Sequence, residues 1–397
     1  MSPKSIDEVE TGDGRALADA GPVVGFIVAI FFMNMLSRLG LAPLMPHIER
    51  DLPLSHAEAG GLFLLLSMGY GVGLFSSPFL SARFRHRQMI VGSSVAVGGM
   101  LAVCGWSASP WGLRLALMGL GVSGGLYLPS GVATLTGVVR KGDWGKVLAI
   151  QQLAPNFAYI LSPFVAELLM RRYDWRMVLM VYGGASILMG LVFAASRPAG
   201  DFRGTPPSPA VFLTFLRNPA AWGLVLLFSL ALGVNQGVFS MMPLYLTAER
   251  GLTPSRANGL ISLSRLIAFG APLVTGWVSD RWGLRRTLFG VVLASGLSTL
   301  LLVVSAADWI AAGLVFQAVS SVCFFPLGFA ALSRITRKEN RNVAVALIIP
   351  CAHLIGAGLI PVIIGIAGDA GSFDWGFILL GGLTLAGVSV IRFLGPD

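Results

Sequence analysis

Two arginines stand apart from the other basic residues of the chain. Arg38 and Arg265 fall inside long apolar stretches, whereas the rest sit at or near the ends of such stretches. Counted from the nearest end, Arg38 lies about 12 Å deep and Arg265 about 16 Å, at ~1.5 Å of helix rise per residue. An arginine near the centre of a membrane span costs roughly 2.5–3.5 kcal/mol on insertion scales, so each needs a compensating partner. Asn34 sits one turn before Arg38 on the same helical face, and Asn258, Ser262 and Arg265 share another. Two guanidiniums turned toward one cavity repel each other unless an anion lies between them. Their planar forks match a carboxylate with paired hydrogen bonds. The competing readings are snorkelling of Arg38 toward the headgroups and a bridge from Arg265 to an acid of the bundle. The acids nearest in sequence do not favour that bridge: Glu58, Glu167 and Glu249 all fall near span ends. A substrate carboxylate is the expected partner.

Other polar side chains interrupt the apolar text in patterned ways. Gln152, Asn156 and Tyr159 share a face, as do Ser229, Gln236 and Ser240; Tyr127 accompanies Ser123, Ser130 and Thr134, and Gln317 accompanies Ser321. His353 is alone in its stretch and titrates near neutrality when unperturbed, which suits a proton-coupling group; a satisfied core histidine is the plainer alternative. With the two arginines, the set expected to line a cavity is Asn34, Tyr127, Gln152, Asn156, Gln236, Ser262, Gln317 and His353. Each has a competing role as an interhelical hydrogen-bonding group. Catalytic and cofactor signatures are missing. No glycine loop ends in Lys-Ser/Thr as ATP hydrolysis would require. His47, His56, His86 and His353 are too scattered for metal ligation. Neither an enzyme nor a cofactor is expected.

These residues must be held by membrane-spanning helices. Of 397 residues, 55% are apolar or aromatic and 12% charged, about half the charge that keeps a soluble domain wet. Glycine (50) and proline (22) are abundant, as they are in membrane helices. The net charge of +9 does not point to nucleic acid, because the basic residues form short clusters at helix ends rather than a patch. Cys104, Cys323 and Cys351 each lie in apolar text and read as small buried groups. A span needs about 20 mainly apolar residues. That ruler gives twelve: 22–46, 57–82, 87–107, 111–139, 144–170, 175–195, 220–248, 254–280, 285–305, 308–335, 341–367 and 373–394. Residues 1–21 are acidic, lack a signal-peptide pattern and read as a cytoplasmic tail. Residues 197–217 are rich in proline and glycine and read as a linker between bundles at 22–196 and 218–397. With both termini on one side, that side collects nineteen Lys and Arg and the other seven, which puts both termini in the cytoplasm.

The second half repeats the first. Leu54-Ser-His-Ala-Glu-Ala-Gly-Gly-Leu62 aligns with Leu252-Thr-Pro-Ser-Arg-Ala-Asn-Gly-Leu260 at a spacing of 198. Pro129 aligns with Pro326, Arg140-Lys141 with Arg337-Lys338, and Asp174-Trp175 with Asp374-Trp375. On the same register Gln236 is the counterpart of Arg38, and His353 of Asn156. A parallel repeat of six spans is one plan of secondary transporters.

The loop after the eighth span reads Gly276-Trp-Val-Ser-Asp280-Arg281-Trp-Gly283-Leu-Arg285-Arg286. It resembles the G-x-x-x-D-R-x-G-x-R-R loop of the major facilitator superfamily at every defined position. The first-half copy, Ser81-Ala-Arg83-Phe-Arg85-His-Arg87, lacks the aspartate and glycines, and Arg114, Gly119, Gly121 and Gly124 loosely follow the R-x-x-x-G-x-G run of the fourth span. The resemblance implies an all-α fold of two pseudo-symmetric six-helix bundles that alternate access to a mid-membrane cavity. The first, fourth, seventh and tenth spans would line that cavity, helped by the second, fifth, eighth and eleventh. It also implies that Gly276, Asp280, Arg281, Gly283, Arg285 and Arg286 serve gating, with Asp280 bonding a neighbouring helix end. An arginine in the eighth span is similar to the organic-anion branches, monocarboxylate and oxalate–formate carriers. Here His353 stands where an oxalate carrier has a second cation, and the acidic-glycine motif of the monocarboxylate carriers is absent.

The expectation is therefore a monomeric carrier of a small mono- or dicarboxylate in a bacterial inner membrane, coupled to a proton, to a counter-anion or to neither. An inorganic anion such as nitrate is a second reading. An exporter of lipophilic compounds would want an embedded acid, and a receptor that kept the fold would want an appended signalling segment; the sequence offers neither.

Overall fold

The computed structural model describes residues 15–196, 199–204, 219–305, 309–335 and 341–394. Twelve of its helices are long and apolar enough to cross a membrane. The first runs from Leu17 to Asp51, starting earlier and ending later than the expected 22–46, and the helix carries Ala20 before that run and Ile48 after it into buried contacts. The tail before residue 15 and most of the linker lie outside the described residues. The described linker residues dock on the loop between the second and third spans. There His86 N–H donates to Phe202 O, and Asp201 pairs with Arg85 and Arg87.

Four breaks stand at a fixed distance from a proline, although Pro46, Pro78 and Pro163 lie in helices that continue and the eighth span breaks at Phe269–Gly270, two residues before Pro272. The first breaks at Gly40, the fourth at Leu126, the fifth at Gln152 and the tenth at Cys323. Each break precedes a proline by three residues: Pro43, Pro129, Pro155 and Pro326. A proline ring clashes with the carbonyl four residues before it and offers no N–H, so the helix yields just there. The third, sixth, ninth and twelfth spans contain no proline and run without such a break across their apolar stretches. The seventh and eleventh break differently, by wide turns. In Gly233–Gly237 the Val238 N–H reaches back five residues to Gly233 O, and a similar π segment covers His353–Leu359.

The repeat in the sequence is a repeat of contacts. Gly98 of the third span lies against Gly183 of the sixth so closely that a methyl on either would meet the other's carbonyl. Gly296 and Gly381 make the same approach between the ninth and twelfth spans, each 198 residues after its counterpart. Small residues let membrane helices approach where lipid offers no hydrophobic drive. The two bundles meet along the second and eleventh spans, where Gly60 faces the Pro361 carbonyl and Gly365 the His56 carbonyl. They also meet along the fifth and eighth, where Ser262 Oγ donates to Ile160 O at 3.0 Å. Three arginines at the end carrying the 1–2, 7–8 and 11–12 connections are paired with acids: Arg114 with Glu58, Arg176 with Asp51, Arg250 with Asp374.

Candidate functional site

Between the bundles lies a cavity walled by Arg38, Leu39, Ala42, Phe63, Leu66, Ser67, Tyr70, Gln236, Ser240, His353 and Ala357. It draws on the first, second, seventh and eleventh spans. The fourth and tenth, expected to line it directly, stand one layer back. Arg38 is 4% exposed and runs past Gly124, whose absent side chain leaves 3.3 Å to Arg38 Cδ from where a Cβ would stand. Its guanidinium lies 3.9 Å over the Tyr70 ring, and Nη2 reaches the Met35 sulfur, a weak acceptor, at 3.0 Å. Nε is buried with no partner. Asn34 donates to Gly124 O at 3.3 Å and so fixes the fourth span behind the arginine.

Gln236 and His353 enter the cavity from the two wide turns. Tyr70 stacks against both cationic Arg38 and the His353 ring, the latter at 4.9 Å between centroids. His353 Nδ1 is buried and unpartnered. The repeat register gains meaning here: Arg38 and Gln236, counterparts in the two halves, face one space, and Ser67, the counterpart of Arg265, lines it too.

Arg265 sits behind this wall. It is 6% exposed, donates through Nη2 to Asn235 O at 2.9 Å, and lies over Tyr159 (4.8 Å) and Phe239 (5.2 Å). Nη1 is buried and unpartnered. Neither arginine has a carboxylate within ion-pair distance among the described residues; the pairs present lie toward the span ends.

Several expected residues take other posts. Tyr127 is wholly buried, stacked on Phe31 at 5.4 Å, and its hydroxyl donates to Ile27 O at 2.6 Å; it ties the fourth span to the first and does not line the cavity. Ser262 spends its hydroxyl on Ile160 O, Asn156 donates back to Gln152 O, and Gln152 is exposed at the break in its span. Gln317 donates to Val234 O at 2.6 Å. In the loop motif, Gly283 adopts φ 86°, the conformation that lets the eighth span turn into the ninth in one residue. Arg281 stacks on Trp277 at 4.0 Å, and Gly276, Arg285 and Arg286 border solvent or lipid. Asp280 is exposed, with no ion pair or hydrogen bond among the described residues. Tyr70 escaped the sequence reading, since an aromatic in apolar text looks like packing.

The Major Facilitator Superfamily model matches residues 27–277 and 251–397. Over 424 aligned residues the chain is 24% identical to the "Hexuronate transporter" of Bacillus subtilis, covering 95% of each. It is 23% identical to the "Probable L-galactonate transporter" of Escherichia coli, covering 93% of this chain and 88% of that one. It is also 27% identical to the "Membrane sensor protein UhpC" of Salmonella typhimurium over 72% of this chain and 69% of that one. Among solved structures, the D-xylose-proton symporter superposes with a TM-score of 0.77 at 14% identity, covering 94% and 98%. A bacterial homolog of the human lysosomal transporter Spinster, inward-facing, superposes with a TM-score of 0.74 at 16% identity, covering 94% and 95%.

Proposed function

The chain belongs to the Major Facilitator Superfamily and is a multi-pass membrane transporter, and from that premise we propose that it carries a small organic anion, a hydroxylated carboxylate, by alternating access. The observation that carries this reading is the pair of buried guanidiniums. Each keeps an N–H without a partner, and neither meets a protein carboxylate among the described residues. A ligand carboxylate compensates Arg38 from within the cavity, while Gln236, Ser67, Ser240 and His353 supply donors and acceptors for hydroxyl groups. Arg265 adds a second positive charge behind the wall. The names of the hexuronate and L-galactonate transporters, both sugar-acid carriers, support a polyhydroxy acid over an inorganic anion.

Alternating access is rocking of residues 22–196 against 218–397, in a bacterial inner membrane with both termini cytoplasmic. The face closed by the second and eleventh spans is then the outer one, and Asp280, exposed and without an ion pair among the described residues, fits an inward-leaning state. A proton or a counter-anion completes the cycle.

The test is uptake of labelled D-glucuronate, L-galactonate and lactate into proteoliposomes, with nitrate and glycerol 3-phosphate alongside. Saturable uptake of a carboxylate, abolished in a folded Arg38→Gln variant and sharply reduced in Arg265→Gln, is the expected result. Uptake indifferent to both substitutions would remove the basis of the anion reading.

A further inference from the structure

We infer that Gln317 is a positioning residue: by holding the Val234 carbonyl it maintains the wide turn of the seventh span that presents Gln236 to the cavity. The cavity's identity as a substrate site rests on the function proposed above; the role of Gln317 in shaping it rests on the following geometry.

A π turn gives up the i→i+4 bonding pattern, so its carbonyls need other donors or lose hydrogen bonding in a medium without water. In Gly233–Gly237 two successive carbonyls take side-chain donors from two other spans. Gln317 Nε2 of the tenth donates to Val234 O at 2.6 Å, and Arg265 Nη2 of the eighth donates to Asn235 O at 2.9 Å. The turn separates neighbouring side chains by function. Asn235 points back and donates to Ser321 Oγ at 3.2 Å, while Gln236 lines the cavity. Glycine makes room for the widened backbone: a Cβ on Gly237 would stand 2.6 Å from Gly356 O, and one on Gly356 would meet the Ser229 carbonyl.

Gln317 is 2% exposed and absent from the cavity wall, so its amide acts through the backbone of the turn. Arg265 has a spare N–H and a charge with which to act on the ligand as well. Gln317 is the cleaner probe of the turn itself.

The experiment uses the full chain in membranes, with Cys104, Cys323 and Cys351 replaced by serine or alanine. Gln236→Cys reports the turn and Ala42→Cys, on the opposite wall, reports the cavity; each is labelled with a small anionic methanethiosulfonate reagent. Gln317→Leu is expected to slow labelling at 236 at least tenfold and to leave labelling at 42 unchanged. Gln317→Met, which keeps the volume but has no N–H to donate, is expected to behave as Gln317→Leu does. Unchanged labelling at 236 in both variants overturns the assignment. Equal loss at 236 and 42 also overturns it, because Gln317 would then be a general packing group. Labelling needs no substrate, so failure of every carboxylate to move would sink the proposed function while leaving this result standing. Where a carboxylate does move, Gln317→Leu raises KM and leaves Vmax, and the Gln317→Leu, Gln236→Ala double variant raises KM no more than Gln236→Ala alone.

Discussion

Arg38 is held by weak partners: a ring face, a thioether and a glycine's empty side. That arrangement keeps a guanidinium buried with its Nε–H unpartnered, which on the proposed function is available to a ligand. Arg38→Lys retains the charge but loses the planar fork, and is expected to raise the KM for a carboxylate roughly tenfold or more, since hydrogen bonds to charged groups are worth about 1.5–3 kcal/mol. Tyr70→Leu removes the ring under the cation, worth about 1 kcal/mol, and is expected to raise KM about fivefold, by the same uptake assay. That Arg38, Gln236 and His353 line a cavity was legible in the sequence, because polar groups in apolar text are costly to leave facing lipid. Tyr70 was not, and Tyr127 was misread. A buried tyrosine needs one acceptor, and the sequence does not reveal that the Ile27 carbonyl supplies it.

Helices set the access to this cavity. Four breaks lie three residues before a proline and are open to sequence reading. The π turn of the seventh span is not, because its carbonyls are capped by Arg265 and Gln317 on other spans. The close glycine pairs are a symmetric device, so Gly98→Leu and Gly296→Leu should each lower the melting temperature, by overpacking of about 1–3 kcal/mol; scanning fluorimetry in detergent measures it, and no change in either would refute the helix contacts. The start of the second span is capped twice. Ser55 and Glu58 exchange hydrogen bonds, and the two remaining N–H groups, of His56 and Ala57, donate to the Asp369 carboxylate of the eleventh span at 2.8 and 3.0 Å. The repeat counterparts at the same end, Pro254 and Arg171, have no such N–H and no acid, so this bond ties the second span to the eleventh without a symmetric copy between the eighth and the fifth. An anion at a helix N-terminus contributes about 1 kcal/mol. Asp369→Ala is therefore expected to open that face and speed thiol labelling of Leu64→Cys about fivefold; equal labelling would show that glycine packing alone keeps it shut.

At the scale of the molecule, composition, the 198-residue repeat and the loop motif point to twelve spans in two bundles, and the structure has them. Which bundle faces meet was hidden, since the span text does not distinguish lipid from a neighbouring helix. The seam follows the second with the eleventh span and the fifth with the eighth, and the two buried arginines lie near it. On the function proposed above, this seam reads negative charge on its cargo. The most direct measurement compares proteoliposome uptake of D-glucuronate with that of D-glucose, which has nearly the same shape without the carboxylate, in wild type and in Arg38→Gln. The account predicts saturable entry of the acid, exclusion of the neutral sugar, and loss of that discrimination in the variant. Equal entry of both sugars into wild-type vesicles would contradict it.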